Sequence, residues 1–136
     1  MVLALLAGGV FCGGTTCAAA HRDWLAAVPP QERLRVSPIP MADSPDAVAA
    51  GAILFHRSCA SCHGEDARGL GKRPGLRSER VREASEGELH WLLTNGNLAA
   101  GMPSWSRLPE GSRWQLVRYL HALPVDASSL HDGPTP

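Results

Sequence analysis

Cys59-Ala60-Ser61-Cys62-His63 constrains this chain more than any other stretch of it. Two thiols three residues apart, followed directly by an imidazole, match the spacing at which a polypeptide adds its sulfurs across the vinyl groups of haem and offers a histidine to the iron. A fold built on that motif must leave room for a large flat apolar ring beside residue 63. Other chemistries also use a C-x-x-C pair. A redox dithiol needs a thioredoxin-like βαβ setting, and no strand pattern flanks residues 59–62. A structural zinc site needs four ligands, and the remaining cysteines, Cys12 and Cys17, fall in an apolar N-terminal stretch. A plain buried cysteine pair leaves His63 without a role. Haem attachment accounts for all three residues.

Residues 1–20 contain no charged side chain and end in Thr15-Thr16-Cys17-Ala18-Ala19-Ala20. An apolar run closed by small residues reads as a secretory signal, with cleavage after Ala20. The basic segment that usually opens such a signal is missing. A retained N-terminal anchor is the second reading, since about 20 apolar residues just span a bilayer, but four glycines weaken a spanning helix. A lipid on Cys12 or Cys17 is a third, with Phe11 and Thr16 in place of the small residue expected before a lipidated cysteine. Export agrees with the haem reading, because thiols destined for covalent chemistry belong to an oxidising compartment. The expected location is therefore periplasmic, with a membrane tether if residues 1–20 remain.

At 136 residues the chain has room for one domain and its tails. Residues 21–43 carry Pro29, Pro30, Pro38 and Pro40 with little periodicity and read as an extended linker or arm. The folded unit is expected over residues 44–123. Ser44 can cap a helix, Pro45 suits its first turn, and Val48, Gly51, Ala52, Leu54 and Phe55 recur at helical spacing up to Cys59. Residues 64–84 hold Gly64, Gly69, Gly71, Pro74 and Gly75 and read as a long loop, which in a small domain must wrap something. Ser85 and Glu88 form a capping-box pattern opening a second helix with Leu89, Leu92 and Leu93 inside, stopped near Gly96. A last helix starts near Pro109 and carries Leu116, Tyr119, Leu120 and Leu123 on one stripe until Pro124. Residues 124–136 read as a frayed tail. Three short helices bury little alone, so a haem between them would supply the missing apolar volume, and the bare polypeptide is expected to be molten.

Iron held by His63 takes a second axial ligand from methionine or histidine if it is to shuttle electrons. Met102 lies 39 residues after His63, in a loop between Gly101 and Pro103 and away from any helical stripe. Packing is the ordinary use of a methionine, but the loop setting favours a ligand. His56, His90 and His121 read as partly exposed helix residues. Trp105, just beyond the loop, reads as packing on the haem or hydrogen-bonding near it, with a plain apolar anchor as the alternative.

The net charge is zero, so no bulk field points to nucleic acid or an anionic membrane. Between His56 and Arg82, however, Arg57, Arg68, Lys72, Arg73, Arg77, Arg80 and Arg82 outnumber Glu65, Asp66 and Glu79. This surplus is either a solvated loop or a docking face for an acidic partner.

With Cys59, Cys62 and His63 in order before Met102-Pro103, residues 44–123 resemble the small bacterial monohaem class I cytochromes c. The resemblance implies an all-α fold of three to four short helices wrapped around one covalently bound haem c and its iron. It implies that Gly51 lets the C-terminal helix cross closely, with Phe55 packed against Leu116-Val117-Arg118-Tyr119-Leu120. Pro74-Gly75-Leu76 resembles the family's proline loop, so the Pro74 carbonyl is expected to accept the proximal histidine's hydrogen bond. Met102 is expected as the distal ligand. The implied function is one-electron transfer between a redox donor and a redox acceptor in a respiratory or dehydrogenase-linked chain, not catalysis. A haem subunit of a larger oxidoreductase is the alternative, and a five-coordinate gas sensor is the more distant one.

Overall fold

The computed structural model of this chain describes residues 24–39 and 44–127. The signal or anchor expected over residues 1–20, Met41 and the end of the tail lie outside the described residues. In chain order these form a 3-10 turn at Trp24–Ala27, α1 (Pro30–Arg33), α2 (Ser44–Ser58), α3 (Ala60–His63), α4 (Glu79–Glu83) and α5 (Glu86–Asn95). A 3-10 turn at Leu98–Ala100 and α6 (Glu110–Ala122) complete the order. The fold is all-α as expected. Among the described residues the only β-type pairings are two isolated bridges, Leu70 with Arg73 and Asn97 with Met102, each closing a loop.

The frame is the crossing of α2 and α6. A Cβ added to Gly51 would stand 2.8 Å from the carbonyl carbon of Gln115 and from the Cβ of Tyr119, and closer still to the Gln115 oxygen. The backbones therefore meet at a distance only glycine permits. One turn on, Phe55 is fully buried and its ring lies 5.2 Å from that of Tyr119. Leu116, Val117 and Leu120 are buried beside it, each worth about 1.5–3 kcal/mol relative to exposure. Tyr119 and Leu123 pack against the edge of this cluster.

The capping box forms as its sequence requires. Glu88 N donates to Ser85 Oγ at 3.1 Å and Ser85 N to Glu88 Oε2 at 2.7 Å. Leu89 and Leu93 of α5 enter the core, while Leu92 is only partly covered. His90 departs from expectation: it is 2% exposed and stacks on Trp114, with ring centroids 4.0 Å apart. A flat aromatic pair buries both rings and leaves the imidazole nitrogens without hydrogen-bond partners among the described residues. Burial, then the charges of Arg35 and Arg113, push its pKa down to about 4.

Three segments differ from the sequence reading. Residues 24–39 are docked, not extended. Arg35 pairs with Glu110 at 2.7 Å and Arg33 with Glu88 at 3.2 Å, Ser37 N donates to Glu86, and Arg118 reaches the Ile39 carbonyl. Gly87 admits this strap, because a Cβ there would press on the Arg35 and Glu32 carbonyl oxygens. The loop expected over 64–84 ends early in α4, whose Ser78 cap accepts from Val81 N and whose Val81 is buried. A helix of five residues is too short to leave a periodic trace. Residues 124–127, expected to fray, are held by hydrogen bonds to Arg77 and Arg68.

Replacing Gly51 by Ala forces the two helices apart and is expected to cost about 3 kcal/mol or more, read as the shift in a denaturant melt of the holoprotein. His90 predicts a pH dependence. Its folded pKa of about 4 lies below the ordinary 6.5, so the unfolded chain takes up the proton first. Stability should be full above pH 6.5 and fall by roughly 1–3 kcal/mol towards pH 4. A His90→Phe variant should lose that part of the slope in melts taken across the same range.

Candidate functional site

The two thiols are presented by a break between helices. Cys59 N still bonds the Phe55 carbonyl at 2.8 Å, but Cys59 then turns to φ −118° and its own carbonyl accepts from both Cys62 N and His63 N, starting α3. Cys59 and Cys62 are thereby one helical turn apart, and no disulfide joins them. Burial, reinforced by Cys62, raises the Cys59 pKa to about 11. A working redox dithiol needs the opposite shift, towards the thiolate. The shift runs against the dithiol reading. Gly64, at φ +82°, ends α3 in a conformation that side chains disfavour and throws the chain into the following loop.

His63 Nδ1 lies 2.9 Å from the Pro74 carbonyl oxygen. A carbonyl only accepts, so Nδ1 carries the proton and Nε2 presents its lone pair. The loop that brings Pro74 back is tied at its base by Gly69 N to His63 O and Leu76 N to Ala67 O, both 2.7 Å. Ala67 is fully buried and takes a left-handed φ of +61°, a conformation held by that packing.

Met102 sits on a second closed loop. Asn97 and Met102 exchange both backbone hydrogen bonds at 2.9 Å, with Gly101 at φ +79° making the turn. Gly96, at φ +72°, lets the returning chain pass, since a Cβ there would stand 2.7 Å from Met102 O. Trp105 N bonds Leu93 O at 2.9 Å and Ser104 Oγ donates to Thr94 O at 2.6 Å, which fastens the loop to the end of α5. Arg73, next to Pro74, donates from Nη1 to the Ala100 carbonyl at 2.9 Å and joins the two loops.

Cys59, Leu76, Met102 and Trp105 are all partly buried against the core that contains Phe55, Leu93 and Leu116. Cys59, Cys62 and His63 thus lie on one segment with the Pro74 carbonyl bonded to the imidazole, and Met102 and Trp105 lie on the second loop. The donor chemistry fits a covalent haem, with two unbridged thiols, an imidazole whose tautomer is fixed by its carbonyl partner, and a thioether among apolar groups.

Residues 46–120 match the model of the family described as cytochrome c oxidase, cbb3-type, subunit III. The chain belongs to this family of c-type cytochrome domains. It is 34% identical over 90 residues to the cbb3-type cytochrome c oxidase subunit CcoP of Azospirillum brasilense, covering 59% of this chain and 30% of that protein. It is 54% identical over 37 residues to cytochrome c-554(547) of Halothiobacillus neapolitanus, covering 25% of this chain and 41% of that one. The chain therefore spans less than half the length of either relative. Family membership brings covalently bound haem c with its iron, and haem-based electron transfer.

Sequence reasoning missed Arg73 and Ser104 as fasteners of the two loops and Asp126 as the partner of Arg68 and Arg77. Each acts through polar contacts to a separate segment of the chain, which no local spacing announces. Replacing Cys59 and Cys62 together by Ser should leave any haem extractable by acidified organic solvent, whereas the unsubstituted protein should keep its haem through a denaturing gel.

Proposed function

We propose that this domain is a one-electron carrier in which His63 and Met102 are the axial ligands of a single haem c. The haem supplies the chemistry when bound, its iron alternating between ferric and ferrous forms. The reading rests above all on the His63 Nδ1 to Pro74 hydrogen bond, which leaves Nε2 free to ligate. His63 is held from behind, Met102 is held by its own closed loop, and Arg73 ties the two loops together. A site with both ligands fixed by backbone contacts changes little between charge states, which suits electron transfer. Pro74 acts as the orienting acceptor and Trp105 as the apolar anchor beside the Met102 loop. One C-x-x-C-H motif in the chain supports one haem.

The setting we infer is a respiratory chain outside the cytoplasm, reached by export through residues 1–20, which serve as membrane tether if retained. Among the described residues no helix is long and apolar enough to cross a membrane. The partners are a redox donor and a redox acceptor, met over a small transient interface and steered by an acidic face on the partner. The match to an oxidase subunit family supports a second reading, in which the domain is the haem c subunit of a larger oxidoreductase. Co-purification with catalytic subunits at native expression would select the subunit; a monomer by sedimentation would select the carrier.

A Met102→Ala variant tests the axial pair. It should let the ferrous protein bind carbon monoxide at neutral pH, abolish the thioether charge-transfer band of the ferric form and lower the potential. Unchanged carbon monoxide binding and potential would refute Met102.

A further inference from the structure

The loop that carries Pro74 has little burial to hold it. Pro74 is exposed, Leu70 is 52% exposed, and only Ala67 and Leu76 reach the core cluster. Its shape must come from hydrogen bonds, and the strongest external set converges on one carboxylate. Asp126 Oδ2 accepts from Arg68 Nε at 3.0 Å, and Asp126 Oδ1 accepts from Arg68 Nη2 at 3.3 Å and pairs with Arg77 Nη2 at 3.1 Å. Arg68 stands on the outgoing limb of the loop and Arg77 on the returning limb. The contact is doubled by the backbone, since Asp126 N donates to Arg77 O at 3.0 Å and Arg77 Nε to Pro124 O at 3.1 Å. Arg77 and Asp126 keep only 17% and 22% of their side-chain surface exposed, so the pair is shielded more than an ordinary surface bridge.

The geometry points to Asp126 as a positioning residue for His63. Asp126 follows α6, and α6 is locked to α2 at Gly51. His63 follows α2 through Cys59. The donor and the acceptor of the His63 to Pro74 hydrogen bond are therefore referred to one frame, with Asp126 closing the circuit on the acceptor's side. By holding the two limbs together the carboxylate keeps the Pro74 carbonyl within reach of Nδ1. A short bond there makes the imidazole a stronger donor to the iron and favours the ferric form. The inference rests on His63 being an axial ligand.

Charge alone and positioning predict the same sign for loss of Asp126 but opposite signs for loss of Arg77. Removing an anion near the haem raises the potential, and removing a cation lowers it. If Asp126 positions the loop, then Asp126→Asn and Arg77→Gln should both raise the potential of the holoprotein. Both should also speed solvent exchange of the His63 Nδ1 proton, followed by NMR, by about tenfold, as for a loosened hydrogen bond, while Asp126→Glu should restore most of both. Arg68→Gln, which leaves Arg77 in place, should give the smaller effect and guards against a variant that fails to fold. Opposite shifts for Asp126→Asn and Arg77→Gln, or exchange unaltered in both, would overturn the inference alone. The lack of an iron-bound His63 resonance in the unsubstituted holoprotein would overturn the ligand reading and this inference with it.

Discussion

The contact between Gly51 and the Gln115 backbone is the one on which the other positions depend. It sets how closely α2 and α6 cross, and so where Phe55 and Tyr119 meet. It also fixes the two chain segments that leave the crossing. α2 runs directly into Cys59, and α6 runs directly into Pro124 and Asp126. Apolar burial does this work efficiently because it is summed over Phe55, Leu116, Val117 and Leu120, each fully or almost fully removed from water.

The two loops obey a different rule. Neither has enough apolar surface to bury, so each is closed by hydrogen bonds and by glycines at conformations other residues avoid. Single bonds of this kind contribute about 1 kcal/mol each, too little to hold a loop singly. Here they are arranged in circuits. Residues 97 and 102 exchange two bonds, Ser104 and Trp105 add two more to α5, and Arg73 carries the constraint across to Ala100. The consequence is that His63 and Met102, 39 residues apart in sequence, belong to one mechanically connected set before any cofactor is considered.

What the sequence made legible follows from this division. α2, α5 and α6 were readable because burial repeats along a helix and because capping is local: Ser85 and Glu88 are three residues apart and find each other in any α-helix. Cys59, Cys62 and His63 were readable for the same reason, the setting between Gly101 and Pro103 pointed to Met102, and the resemblance supplied Pro74. The docking of residues 24–39 was not, because it uses Arg35 to Glu110, Arg33 to Glu88 and Ile39 to Arg118, pairs separated by tens of residues. His90 was misread because on α5 it lies beside the leucine stripe, and only the tertiary placement of Trp114 gives its ring a flat partner. α4 was too short to show a period.

The basic cluster around residues 57–82 shows how charge along a chain differs from charge on a surface. Counted in sequence it has a surplus of positive side chains beside the haem motif. In the fold, Arg68 and Arg77 are neutralised by Asp126, a residue outside the counted window, and Arg68 again by Asp66. Arg73 spends its guanidinium on the Ala100 carbonyl. Three of the seven cations, Arg68, Arg73 and Arg77, are thus engaged by partners within the fold. The outward field is correspondingly weaker than the sequence suggests. Around the same loops Leu70 and Leu98 stand exposed, so the surface there carries apolar side chains beside arginines already engaged within the fold. Such a surface exerts less long-range electrostatic pull than the seven cations counted along the chain imply.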